Sequence, residues 1–167
     1  MVRILLIGVF MVSGMLISAC EVTDRPALDL PPLMLSPVPD GVVSGTCDEA
    51  DVLESWLQAI SFQYRDFLTL MRDGVDKPPD ALYADVEQML RLRDSIATTP
   101  VPECAGEART LLLDAMAVPL AQFVIYANET EEVNLNTVVA EADADFQLYN
   151  DARDGLLEIL DGQLQQP

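Results

Sequence analysis

Between Leu53 and Met71 the apolar residues recur at steps of three and four. Leu53, Trp56, Leu57, Ile60, Tyr64, Phe67, Leu68 and Met71 therefore share one side of a helix with 3.6 residues per turn. A helix with one greasy face must bury that face against another element, and the rest of the chain offers three more of the same kind. After Pro78-Pro79, a pair suited to a first helical turn, the second stripe is Leu82, Val86, Met89, Leu90 and Ile96, ending near Thr98. The third segment begins around Glu103 and carries Ala108, Leu111, Leu112, Ala115, Met116, Phe123 and Val124. Pro119 lies inside it and predicts a kink or a split, because proline removes one i→i−4 bond and its ring clashes with the preceding turn. The fourth runs from about Leu135 to Leu160, with Leu135, Val138, Val139, Ala142, Phe146, Tyr149, Leu156 and Leu160 on its stripe and Gly155 as a weak point.

The ends carry local signals as well. Thr46 with Glu49 three residues later reads as a capping box for the first helix, and Gly74 reads as its C-terminal cap. No segment shows sustained strand alternation. Short connections favour antiparallel neighbours, so the expected fold is all-α: an up-down-up-down four-helix bundle with its third helix kinked at Pro119.

The N-terminus has a different character. One early cation, Arg3, precedes an uncharged run from Ile4 to Ala19, the layout of a secretory signal. The run is shorter than the ~20 residues of a comfortable membrane span, and Gly8, Ser13, Gly14 and Ser18 dilute it. It ends in Leu16-Ile17-Ser18-Ala19-Cys20, which resembles the lipobox of bacterial lipoproteins. The resemblance implies diacylglyceryl transfer to the Cys20 thiol and cleavage before it. Acyl chains such as palmitate would then hold the protein on a cell membrane or outer membrane, facing away from the cytoplasm. Two or three chains together anchor stably, at about 0.8 kcal/mol per buried CH₂. An ordinary signal ending near a chance cysteine, or an uncleaved anchor, are the competing readings.

With Cys20 lipidated, Cys47 and Cys104 remain as an even pair in an exported, oxidising setting, and a disulfide is the favoured reading. They sit at the starts of the first and third helices, which an up-down bundle puts at one end. The pair is diagonal across that end, so the loops must bring the Cα atoms within ~7 Å. Two free buried thiols are the alternative.

The expected organisation is a signal peptide over 1–19, a lipidated proline-rich tether over 20–45 and a helical domain over 46–167. The tether holds Pro26, Pro31, Pro32, Pro37 and Pro39, which favour extended chain. Fully extended at ~3.1 Å per residue, residues 21–45 span on the order of 75 Å. A free spacer is one reading. Docking of Leu28, Leu30, Leu33, Met34 and Leu35 on the domain is the other.

Charge and chemistry narrow the function by exclusion. Against nine Lys or Arg stand 28 Asp or Glu, a formal charge of −19, and such a field repels nucleic acid. The chain has no histidine, which removes most general-base schemes, hydrolase triads and histidine-ligated metal or haem. Two distant thiols do not complete a zinc site, so no metal and no cofactor is expected. Asp143, Asp145, Asp151 and Asp154 do not follow the calcium-loop order and read as a solvated helix face. The sequon-like Asn128-Glu129-Thr130 is not read as a glycosylation site in a bacterial setting. Trp56, Tyr64 and Tyr126 fit core positions at helical spacing better than a ligand pocket.

The leading expectation is a non-enzymatic envelope module that binds a protein or envelope component. The alternative is a carrier or sensor for a small apolar ligand inside the bundle, in space opened by Pro119 among Met116, Phe123 and Tyr126. A carboxylate-based hydrolase stands third.

Overall fold

The computed structural model describes residues 30–39 and 41–165, and the regular elements within them are helices. Cys20, the signal segment and the first part of the tether lie outside the described residues. In chain order the elements are α1 (Ala50–Gly74), α2 (Pro79–Thr98), a 3-10 turn (Glu103–Ala105), α3 (Gly106–Ala127) and α4 (Leu135–Leu164). α1 packs on α2 and α4, and α3 packs on the same two, so the four helices close around one core. The fold is an all-α helical bundle.

The stripe on α1 is the side that packs inward. Leu53, Trp56, Leu57, Ile60, Tyr64, Phe67 and Met71 are all buried, with Leu68 at the edge. Each such side chain withdrawn from water contributes on the order of 1.5–3 kcal/mol. α2 starts on its proline pair and buries Leu82, Val86, Met89 and Ile96. Its core side also holds Arg93, only 3% exposed, whose guanidinium donates to Asp94 Oδ1 from Nε at 2.9 Å and Nη2 at 2.5 Å. α4 opens on Asn134, whose side chain accepts from the Thr137 N–H at 3.2 Å, and it continues through Gly155 to Leu164.

α3 is apolar nearly all round because it lies between α2 and α4. Leu113, Pro119 and Leu120 are buried in addition to the predicted stripe positions Ala108, Leu112, Ala115, Met116, Phe123 and Val124. By length and composition the stretch Glu103–Ala127 passes as a membrane span, with mean hydropathy 1.6, and 39% of its most apolar window is buried inside the bundle. Pro119 does not split it: α3 runs unbroken from Gly106 to Ala127.

Two end signals differ from expectation. Thr46 does not cap α1, which begins at Ala50 after Glu49, with no side-chain cap bond. Long-range pairing ties the preceding backbone to the segment after α2: Ser44 N–H donates to Val101 O at 2.8 Å, and Glu103 N–H to Gly45 O at 3.3 Å. Gly74 is not a left-handed cap either: it is the last residue of α1, without a positive φ, and Val75 follows it with φ −61°. Glycine is needed there for space. A Cβ on Gly74 would lie 2.8 Å from Leu82 Cδ1 and 2.9 Å from Phe123 Cε1.

Residues 30–39 and 41–45 form a strap along α2, so the packed body begins upstream of residue 46. Tyr83 OH donates to Pro31 O at 2.6 Å in the second turn of α2, and Val43 forms a parallel bridge with Val101 just beyond its end. Between these points Leu33 is buried, while Met34 and its neighbours stay exposed. Gly41 lies directly against the Arg109 guanidinium, where a Cβ would overlap Nη1.

Candidate binding cleft between α3 and α4

Pro119 and Ala142 face one another across the α3–α4 seam, and neither fills it. The result is a cleft of about 360 Å³. Its α3 wall is Val118, Pro119 and Gln122, and its α4 wall is Val138, Glu141, Ala142 and Asp145. Each wall follows helical spacing: 118 and 122 stand one turn apart, as do 138 and 142, and 141 and 145. The floor is apolar, because Pro119 and Ala142 are buried. Val118 stands at the rim, 63% exposed, opposite the solvated carboxylates of Glu141 and Asp145. Pro119 has no N–H, so the Ala115 carbonyl one turn earlier loses its i+4 donor.

The electrostatics are one-sided. From Thr110 to Ala152, the stretch that supplies both walls, the sequence contains no Lys or Arg and eight Asp or Glu. The cations that flank this stretch are engaged elsewhere. Arg109 packs on Gly41 and reaches Ala97 O at 3.4 Å, and Arg153 pairs with Asp154 at 2.9 Å.

Comparison with protein families, curated proteins and solved structures finds no match. The site therefore rests on its own chemistry.

The residues singled out by sequence fall in several places. Cys20 lies outside the described residues. Cys47 and Cys104 are at disulfide distance, Sγ to Sγ 1.98 Å with Cα atoms 5.8 Å apart. Met116 and Phe123 have no exposed surface and line neither wall of the cleft. Tyr126 is half-buried, and its hydroxyl donates to Lys77 O at 3.3 Å. Trp56 and Tyr64 are core residues. Tyr64 meets Tyr149 edge-on at 4.9 Å between ring centroids. Burial raises both tyrosine pKa values above 10, with Tyr149 pushed up to about 12. Asp143, Asp145, Asp151 and Asp154 are all exposed on α4. Among the described residues no three His, Cys, Asp or Glu side chains converge as a metal site.

Two features escaped the sequence reading. Val118 lies off the predicted α3 stripe, and Pro119, expected to open space among Met116, Phe123 and Tyr126, lines a cleft toward α4 instead; apolar character on a second side of the helix was the available signal. The Asn128 side chain, half of a sequon-like motif, instead holds the strap: it accepts from Leu33 N–H and donates to Leu33 O, both at 2.9 Å.

Proposed function

We propose that this chain is a lipid-anchored bacterial envelope module, acylated at Cys20, that binds a protein or envelope component without catalysing a reaction. The observation that carries this reading is the strap. The proline-rich segment that follows Cys20 is seated on the bundle from residue 30, so the anchor and the helical body are coupled. Only residues 21–29 separate Cys20 from the seated strap, a reach of at most about 30 Å at full extension against ~75 Å for a wholly free tether.

An up-down-up-down arrangement with α3 bent at Pro119 fits this reading. It is supported by what gathers around Cys47. Cys104 stands just ahead of α3, and Gln163 near the end of α4 donates to the Cys47 carbonyl. Val101, just past α2, pairs with Val43 just before α1. The absence of histidine supports a binding role over His-dependent catalysis.

Replacing Cys20 by Ser in the full chain tests the anchor. The expected outcome is release from the membrane fraction, or retention of an unprocessed form of higher mass. Unchanged membrane association together with unchanged mass would sink the lipoprotein reading.

A further inference from the structure

We propose that the α3–α4 cleft is the docking site and that its occupant is a basic amphipathic segment of a partner protein. The inference deepens the binding role proposed above and rests on it. Three observations choose the occupant. First, the floor of Pro119 and Ala142 and the exposed rim residue Val118 call for an apolar side chain in contact. Second, Glu141 and Asp145 stand on consecutive turns of the opposite rim, within a stretch that has carboxylates and no cation of its own. A Lys or Arg from outside supplies the missing charge. Third, Leu148, three residues beyond Asp145 on α4, is exposed at 55%. The alternation of apolar and acidic groups therefore continues past the cleft, which suits a segment several residues long better than a small cation. The space, about 360 Å³, lies at the small end of the ~300–1,000 Å³ of small-molecule pockets and accommodates inserted side chains.

The contact is a rim-charge interaction around an apolar anchor. The carboxylates steer approach and set register, and Val118 with the cleft floor supplies the contact that persists in salt. A polycation with no apolar face gains only the screened part.

The test uses the full chain in nonionic detergent and three labelled helical peptides: one with a leucine face and a lysine face, one with its lysines changed to glutamate, and one with its leucines changed to serine. Fluorescence anisotropy reads affinity, and circular dichroism verifies the fold of each variant. The lysine–leucine peptide binds best. The pair Glu141→Gln and Asp145→Asn weakens it about tenfold. Val118→Ser weakens it several-fold. The control pair Glu158→Gln and Asp161→Asn, exposed acids farther along α4, leaves it unchanged. The proposal is overturned if the control pair weakens binding as much as the rim pair, if Val118→Ser changes nothing, or if the lysine–serine peptide binds equally tightly. Those results would mean attraction to net charge alone. None of them touches the anchor, which Cys20→Ser tests separately.

Discussion

Asn128 closes a two-bond clasp on the backbone of Leu33, 95 residues earlier in the chain. Its carboxamide accepts and donates as a strand neighbour would, and it gives Leu33, 8% exposed, both its main-chain partners. Asn128→Ala should therefore free the strap and leave the bundle intact. Two partly buried hydrogen bonds at about 0.5–1.5 kcal/mol each predict a loss of ~1–3 kcal/mol in the protection of this segment. Hydrogen exchange at the Leu33 amide measures it directly. An unchanged exchange rate there would mean that Leu33 burial alone seats the strap, with Tyr83 and Val101 holding its ends.

The Cys47–Cys104 pair closes a long loop, the two residues being 57 positions apart in sequence. Reduction, or Cys47→Ser with Cys104→Ser, should cost about 4 kcal/mol by loss of the chain-entropy constraint on the unfolded state. Urea melts with and without reductant check this. The reduced protein should shift to a lower midpoint while remaining helical, since the core does not depend on the bond for its apolar contacts.

Gly74→Ala sets two effects against each other. Alanine favours the helix by about 1 kcal/mol. Its Cβ would press on Phe123 Cε1 and Leu82 Cδ1, both fully buried. The leucine tip can turn aside, but the phenylalanine ring must shift within a close-packed core. Overpacking of this kind costs ~1–3 kcal/mol, so a net loss of up to about 2 kcal/mol is expected. A thermal melt decides the sign. A stabilised variant would show that the α1–α3 contact has room to give.

The helices were legible because their cause is local. The stripes on α1, α2 and α4 repeat every three or four residues, and most of their members are buried. The ends were less so. The Thr46-to-Glu49 pattern predicts a capping box, but long-range bonds from Ser44 to Val101 and from Glu103 to Gly45 fix the preceding backbone, and the helix starts only at Ala50. Gly74 carries a cap's local signature, yet its role is set by a ring from another helix. The cleft was illegible for a related reason. Val118 and Glu141 belong to different helices, and only packing brings their two sides together. Arg93 likewise occupies a core position on a stripe that reads as apolar around it.

Tyr149 should make the protein sensitive to alkali. Its ring is fully buried on α4, and its hydroxyl has no protein partner. Desolvation pushes its pKa up to about 12, while the nearby Arg153 charge opposes that rise without cancelling it. In the unfolded chain the phenol titrates near 10. Below pH ~10 both states keep the proton and this group leaves stability independent of pH. Between about pH 10 and 12 the unfolded state gives up its proton while the folded state holds it, so stability falls as pH rises. The loss is on the order of 2 kcal/mol across that window. Ultraviolet titration of phenolate, together with urea melts at rising pH, measures both halves of the claim. Tyr149→Phe should flatten much of the alkaline decline. At neutral pH it should cost little, because it removes a hydroxyl that is already without a protein partner. Retention of the full alkaline decline in Tyr149→Phe would move the cause to other groups, with Tyr64 next in line, since burial raises its pKa as well.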